Sequence, residues 1–308
     1  MPSSGSGPAN SPPVIADRPP TSGWRYSGGG YTVAQLLVER LTKRPFELEM
    51  REILVALGME SSTYEQPLPD SLTIEAAVGY RASGESVQGR WHIYPEMAAA
   101  GLWTTPTDLA RYAIAVAGWF RGDADGVLSP EMTRTMLEPG LGDWGLGPST
   151  AGDGLDFRFQ HGGSNEGFRC ELVYFPNRGL GAAIMTNADG GDSLIQEILA
   201  GIAEEYDWPA YRSREIRALE LTVSAGRKYA GRYQIEAAPD VDVVTRWRRG
   251  RLELQIGDAS PSELFYVDRD RFVVASDGAD LRFERDATGR VSAMIAYDAR
   301  ARRVRARN

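Results

Sequence analysis

Several residue types that build functional sites are scarce in this sequence. It contains one cysteine, so no disulfide can form within the chain. That cysteine, Cys170, lies in an apolar stretch and is predicted to be a buried and unreactive thiol. The two histidines, His92 and His161, have no cysteine, histidine or acidic residues at ligand spacing around them, so neither a metal site nor a cofactor is expected.

Long apolar runs and excess positive charge are missing as well. No stretch approaches the roughly 18 apolar residues that a membrane-spanning helix requires, so no membrane span is expected. The formal net charge is −8 at pH 7, which argues against nucleic acid as a partner because duplex binding needs a cationic surface. No signal segment opens the chain, which leaves the compartment open: cytoplasmic as the sequence stands, periplasmic or secreted if a signal has been removed.

What the sequence does contain divides it into four segments. Residues 1–23 hold six prolines, five serines and three glycines, and this composition predicts a tail or loop. A region of mixed helical and strand patterns follows over 24–208, and 209–222 is predicted to be a linker. Over 223–308, short strand-like runs alternate with Gly, Asp and Pro turns, which predicts a small antiparallel barrel or sandwich.

Local patterns place helices and strands in the 24–208 segment. Thr105, Pro106 and Asp108 form a capping box, which predicts a helix to about residue 120, and Ser129 predicts another helix start. Residues 60–100 are predicted to be mostly irregular. Further helices are predicted over 32–41, 46–57 and 193–206. Strands are predicted over 157–160, 168–175 and 180–186, the last two joined by a Pro-Asn-Arg-Gly turn.

Three motifs in this segment carry a resemblance. They are Tyr26-Ser27-Gly28-Gly29-Gly30-Tyr31, then Gly101-Leu102-Trp103-Thr104-Thr105-Pro106-Thr107-Asp108, then His161-Gly162-Gly163-Ser164-Asn165-Glu166-Gly167-Phe168. Together they resemble the later two-thirds of a penicillin-recognising serine hydrolase, the superfamily of serine β-lactamases, DD-peptidases and related esterases. The resemblance implies an α+β fold in which helices flank an antiparallel sheet, N-terminally incomplete, with a small C-terminal antiparallel β-domain.

The resemblance also assigns chemistry to the first motif. In the family a serine attacks a carbonyl carbon and forms an acyl-enzyme, which water or another acceptor releases. Tyr26 matches the motif tyrosine and would shuttle the proton, which requires a nearby cation because an ordinary tyrosine has a pKa of ~10. Gly28 stands where the family has a substrate-binding asparagine, so β-lactam antibiotics are disfavoured as substrates while esters and small peptides stay open.

The third motif supplies the other candidate site residues. His161, Gly162 and Gly163 match a family motif that lies on a strand beside the active site, where glycine allows a substrate to approach the backbone closely. By the same resemblance, the Ser164 amide would be one donor of the oxyanion hole. Taken alone, the Tyr26 motif is also compatible with a simple turn before a helix, and His161 with an ordinary buried histidine.

The family's nucleophile does not occur in this sequence. That serine belongs to a Ser-x-x-Lys motif, and the two lysines, Lys43 and Lys228, have Arg40 and Ala225 three residues before them. The chain alone is therefore predicted to show little or no hydrolase activity. Three hypotheses remain: a shortened serine hydrolase of small esters, peptides or β-lactams, a non-catalytic relative that binds a ligand or partner, and one half of a split enzyme.

The part of the chain that resembles the family does not include two elements of the family's fold. These are the first strands of the central sheet and the helix that carries the nucleophile. A sheet without those strands presents an unpaired edge, and the helices around it keep apolar faces uncovered. The protein is therefore expected to be marginally stable, oligomeric, or completed by a second polypeptide or protomer.

Overall fold

The computed structural model describes residues 13–304 except 20, 214, 237, 258–260, 277 and 298, and the side chains of 239 and 240 are not described. The chain forms two compact units, of which the first ends at Tyr211 and the second begins at Arg212. Of the predicted tail, residues 1–12 and 20 lie outside the described residues, and the rest is irregular. The linker predicted over 209–222 stays a prediction.

The described helices of the first unit are α1 (Gly28–Thr42), α2 (Phe46–Ala56), α3 (Met97–Ala100), α4 (Pro106–Arg121), α5 (Pro130–Leu137) and α6 (Gly191–Glu205). Three of them, α1, α4 and α5, begin at a side-chain cap. Thr105 and Ser129 accept hydrogen bonds from the backbone amides of Asp108 and Met132, at 3.2 and 3.1 Å, which confirms the starts predicted there. None of the described helices is long and apolar enough to span a membrane.

Helix α1 begins at Gly28, four residues before the start predicted at 32. Glycine disfavours helices, so a run of three glycines predicts a loop. The Ser27 hydroxyl accepts a hydrogen bond from the Gly30 amide at 3.1 Å, and this cap allows the glycines to form the first helical turn. Tyr26 consequently lies immediately before a helix N-terminus and not in a free loop.

The capping box predicted at the start of α4 forms only in part. Thr105 caps the helix, but the Asp108 carboxylate accepts hydrogen bonds from the Ser61 amide at 2.9 Å and the Ser62 hydroxyl at 2.8 Å. It also pairs with Arg111 at 2.6 Å. Because the Asp108 side chain is buried, these partners replace the water that a carboxylate otherwise requires. Asp108 therefore ties a preceding loop to α4.

Four antiparallel strands form the sheet of the first unit, in the order β1-β2-β3-β4. They are β1 (Ser149–Ala151), β2 (Arg158–Asn165), β3 (Phe168–Phe175) and β4 (Leu180–Thr186). The predicted bounds of β3 and β4 are confirmed, and the Pro-Asn-Arg-Gly turn joins them. Strand β2 is longer than the predicted 157–160 strand and runs through His161 as far as Asn165.

The two faces of this sheet pack against different helices. Phe159 and Leu172 pack with side chains of α4 and α5, whereas Val173 packs with side chains of α6. Leu172 and Val173 are adjacent in sequence and lie on opposite faces, as the two-residue period of a strand requires. The same alternation places His161, which pairs with Leu172, on the α4 face and Gly162 on the α6 face.

The first unit leaves an edge and a helix face open among the described residues. Beyond β4 there is no further strand, apart from a single bridge between Tyr80 and Ala188 past its end. Helix α1 buries the polar side chain of Gln35 instead of its apolar residues. The apolar side chains that it exposes, by 49% to 74%, are Val33, Leu36, Leu37 and Leu41.

The first described helix of the second unit is α7 (Val223–Tyr229), which was not predicted from the sequence. Eight strands follow: β5 (Gly231–Ile235), β6 (Ala238–Arg248), β7 (Arg251–Ile256), β8 (Ser262–Asp268), β9 (Arg271–Val274), β10 (Asp280–Arg285), β11 (Val291–Ala296) and β12 (Ala299–Val304). Each pairs antiparallel with the next, and β12 pairs with β5, so a closed barrel forms and not a sandwich. Tyr233, Phe272 and Phe283 are among the side chains that fill it.

Candidate active site

The rings of the two residues predicted to be catalytic, Tyr26 and His161, form a cluster with the rings of two tryptophans. The ring centroids of Tyr26 and His161 are 6.3 Å apart, and that of Trp144 lies 5.4 Å from the first and 5.5 Å from the second. Trp24 stacks on Trp144 with the centroids 5.4 Å apart and the planes inclined by 23°. The structure thus brings together two predicted residues that are remote in sequence.

Different elements hold the members of this group. Tyr26 immediately precedes the N-cap of α1, and His161 lies in the middle of β2, opposite Leu172 on β3. Trp144 lies before β1 and forms an isolated bridge with Ser149. The site therefore forms where the N-terminus of a helix meets the sheet.

The rings line a cavity of about 440 Å³. Its wall also includes Arg25 and Tyr31. The side chains of Tyr26 and Trp24 are 59% and 46% exposed, so both present open ring surface. Exposed aromatic rings on a concave wall are suited to contact an apolar or aromatic group of a small ligand.

A hydrogen bond fixes the tautomer of neutral His161. Its Nδ1 atom lies 2.6 Å from the Gly162 carbonyl oxygen. A carbonyl oxygen can only accept, so we assign the proton of the neutral ring to Nδ1. The Nε2 atom then carries a lone pair and is able to accept a proton.

Packing across the sheet leaves little room for a side chain at Gly163, and it is tight at Gly162, where the neighbour is the end of a flexible side chain. A Cβ atom on Gly163 would overlap the Cys170 Sγ atom, and one on Gly162 would lie 2.9 Å from the Glu171 Oε2 atom. Both neighbours belong to β3. Burial raises the pKa of the Cys170 thiol to about 11, so the thiol is protonated at neutral pH and is a poor nucleophile. This agrees with the predicted unreactive thiol, although Cys170 is half-buried and not fully buried.

Tyr26 and His161 line the cavity, but the other predicted site residues do not. Gly28 lies in the first turn of α1, where a Cβ atom would face that of Ala99 at 3.8 Å. Ser164 is exposed and lies three residues from His161 on the same strand, so their side chains point to opposite faces of the sheet. Gly162 and Gly163 follow His161 in β2, but neither is among the residues that line the cavity.

Glu166, in the turn that follows β2, forms a polar cluster with Arg81 and His92. Glu166 accepts a hydrogen bond from Arg81 Nε at 2.6 Å and lies 2.5 Å from His92 Nε2. The hydrogen bonds from Arg81 and His92 hold the pKa of Glu166 below its ordinary value. This role for His92 is structural. Within the described part of the chain, no group of three or more His, Cys, Asp or Glu side chains could hold a metal ion.

Comparison with known proteins identifies the family. The family described as Beta-lactamase matches residues 9–205. This chain belongs to the β-lactamase family. No curated protein sequence matches it. The motif resemblance to penicillin-recognising serine hydrolases is therefore confirmed, as is the α+β fold with an antiparallel sheet, flanking helices and a C-terminal β-domain.

Solved structures with a similar fold cover most of this β-lactamase-family chain. A crystal structure of SurE is 25% identical with a TM-score of 0.54, over 94% of this chain and 70% of SurE. A structure of SurE with D-Leu is 24% identical with a TM-score of 0.52, over 93% of this chain and 69% of the other. The octameric penicillin-binding protein homologue from Pyrococcus abyssi is 20% identical with a TM-score of 0.50, over 91% of this chain and 65% of that protein, slightly under two thirds of its length.

The family's serine and lysine are not supplied by the residues around Tyr26. The Ser27 hydroxyl caps α1, and Lys43 is the C-cap of the same 15-residue helix. At 1.5 Å per residue the two ends of that helix are roughly 22 Å apart, which removes Lys43 from the site. Lys228 belongs to α7 in the second unit. Three residues that line the cavity were not among the predicted site residues: Trp24 and Arg25, which directly precede Tyr26, and Trp144.

Proposed function

We propose that the Tyr26–His161 cavity is the acyl-transfer site of a serine hydrolase that cleaves a small ester, amide or peptide, or a β-lactam. The observation that carries the proposal is the approach of Tyr26 and His161 at one cavity wall, 6.3 Å between ring centroids. The nucleophilic serine and its lysine come from a Ser-x-x-Lys segment that this sequence does not contain. The chain alone is accordingly inactive or nearly so.

In this mechanism Tyr26 moves the proton. The serine hydroxyl attacks the substrate carbonyl carbon, and its proton passes to the Tyr26 oxygen and from there to the leaving group. Water then attacks the acyl carbon, Tyr26 takes the proton from that water, and the same proton passes to the serine oxygen as the bond between serine and acyl group breaks. Because an ordinary tyrosine has a pKa of ~10, this role requires a cation nearby, which the lysine of the Ser-x-x-Lys segment supplies.

His161 and β2 position the substrate. His161 Nε2, whose lone pair is left available by the bond from Nδ1 to the Gly162 carbonyl, accepts a hydrogen bond from the substrate. Strand β1 pairs with residues 158–160 of β2 only. From His161 onward, the edge of β2 facing β1 has no strand partner among the described residues. An extended substrate can pair there, and the Ser164 amide is the proposed oxyanion donor.

The test compares acylation with and without Tyr26. The variants Tyr26→Phe and Tyr206→Phe are prepared in the chain produced together with the Ser-x-x-Lys segment, and the rate of labelling by a fluorophosphonate is measured. Tyr206 is an exposed control at the end of α6. We expect Tyr26→Phe to reduce the rate by roughly 10²–10⁴-fold and the control to leave it unchanged. An unchanged rate in Tyr26→Phe removes Tyr26 from the mechanism.

A second candidate function is binding without catalysis. The open aromatic wall of the cavity favours it, because Trp24, Tyr26 and Trp144 can hold a ligand with no nucleophile present. The two candidates differ in one observable. A binding protein retains its ligand unchanged and forms no covalent adduct even when the Ser-x-x-Lys segment is present, whereas a hydrolase becomes acylated.

The open surfaces of the first unit support a partner in either case. The apolar face of α1 is exposed, and the outer edge of β4 has no neighbouring strand among the described residues. Both features are typical of surfaces that another polypeptide covers. The proposed occupant is the polypeptide that carries Ser-x-x-Lys, either as part of a longer form of this chain or as a separate chain or protomer.

A further inference from the structure

Arg25 lies in the wall of the aromatic cavity, between Trp24 and Tyr26 in sequence. Its guanidinium group binds both carboxylate oxygens of Asp17. The Nη1 atom donates to Oδ2 at 2.8 Å, and the Nη2 atom donates to Oδ1 at 2.6 Å. This two-point contact is the geometry by which arginine recognises a carboxylate.

Asp17 is delivered by a segment without regular secondary structure. Residues 13–17 are irregular, and Val14 lies over the first turn of α1. The Val14 Cγ2 atom is 2.9 Å from the point that a Cβ atom on Gly29 would occupy. The glycine run after Tyr26 therefore leaves room for this segment, which crosses the start of α1 beside the cavity.

The Arg25–Asp17 contact is open to exchange. The two side chains are 47% and 42% exposed, and ion pairs in such positions contribute little to stability. Asp17 thus behaves as a carboxylate ligand that the chain supplies to itself. A ligand carboxylate of the same geometry can replace it without leaving Arg25 unpaired.

We infer that Arg25 is the anion-recognition residue of this cavity, and that Asp17 occupies its place in the free protein. The ligand carries a carboxylate next to an aromatic or branched apolar group, so that Arg25 binds the first while Trp24 and Trp144 contact the second. The inference rests on the proposed function only in placing ligand and substrate in the same cavity. Asp17 is then a built-in competitor, and a ligand binds by displacing it.

The test uses two probes of equal shape, N-acetylphenylalanine and its uncharged amide. Binding to the intact chain is followed by the NMR signals of the Trp24 and Trp144 indole N–H groups. We expect the carboxylate to bind roughly tenfold more tightly than the amide. We expect Arg25→Gln to remove this preference without lowering the affinity for the amide. We expect Asp17→Asn to raise the affinity for the carboxylate severalfold. Arg51→Gln, an exposed change on α2, is the matched control.

Each outcome decides between specific alternatives. Equal binding of the two probes by the unaltered chain, or a preference that survives in Arg25→Gln, overturns the assignment of Arg25. Unchanged carboxylate affinity in Asp17→Asn overturns the competitor role of Asp17. If Arg25→Gln does not fold, Arg25→Lys keeps the charge but loses the two-point contact, and is expected to reduce the preference. Because binding requires no serine, these results are readable even if acylation is never observed.

Discussion

Every strand of the C-terminal barrel has two strand neighbours, whereas the sheet of the first unit ends at β1 and β4. Closure satisfies the backbone groups of the barrel within its own chain and buries an apolar interior. The first unit leaves apolar side chains of α1 exposed, and it carries the candidate site. The barrel therefore closes its sheet within its own chain, whereas the first unit keeps two sheet edges and an apolar helix face open among the described residues.

The largest effect is expected in the barrel interior. Phe272 is fully buried and its ring contacts those of Tyr229, Tyr266 and Phe283. Phe272→Ala should lower the free energy of unfolding of the second unit by about 3–5 kcal/mol, because the cavity left behind cannot be filled by rigid neighbours. Calorimetry measures this, and the Trp24 and Trp144 signals report on the first unit. If both units unfold in a single transition, the barrel is not stable independently of the first unit.

Glu171 should make the stability of the first unit depend on pH. Burial, with a smaller contribution from the charge of Asp192, raises the pKa of Glu171 to about 7. The folded state then binds a proton that the unfolded state has released, so stability falls as pH rises from the ordinary glutamate pKa to about 7, by up to about 3 kcal/mol. Glu171→Gln should remove this dependence in urea unfolding measured from pH 4.5 to 8.

A matched change keeps that result specific. Glu253→Gln lies on β7 of the barrel and should leave the pH profile of the first unit unaltered. If the profile of Glu171→Gln parallels that of the unaltered chain, Glu171 is ionised in the fold at neutral pH, and the burial argument is wrong.

The exposed surfaces of the first unit should cause association. Leu37→Glu on α1 and Met185→Lys on β4 place charges on the open helix face and sheet edge. Together they should weaken self-association roughly tenfold or more, since apolar contacts and edge pairing are both lost. Light scattering coupled to size-exclusion chromatography measures it, with Val223→Glu on α7 as the control. If the unaltered chain is monomeric at every concentration measured, the exposed surfaces of α1 and β4 do not cause self-association, and the prediction is wrong.

The sequence predicted those elements that local chemistry determines. Strands β3 and β4 were predicted because apolar runs flank a Pro-Asn-Arg-Gly turn, and α4 because Thr105 and Pro106 start it. The start of α1 was missed because glycine propensity hides the effect of the Ser27 cap. Helix α7 was missed because seven residues give too little periodicity.

The site was predicted less completely than the fold. Motif resemblance singled out Tyr26 and His161, but their approach depends on how α1 meets β2, which no local pattern encodes. The partners of Asp108 and the Arg25–Asp17 contact also join residues without a recognisable spacing. Such pairs follow from tertiary packing, so the aromatic cavity and its arginine became visible only in the folded chain.

The most direct test of the account is the intact mass of the folded protein after incubation with a fluorophosphonate and, separately, with a penicillin. We expect no adduct on this chain alone, and a single adduct on the Ser-x-x-Lys serine when that segment is supplied. An adduct on the chain alone would show that one of its own serines is activated, and peptide mapping would locate it. No adduct in the completed protein would contradict the hydrolase and leave the cavity as a binding site.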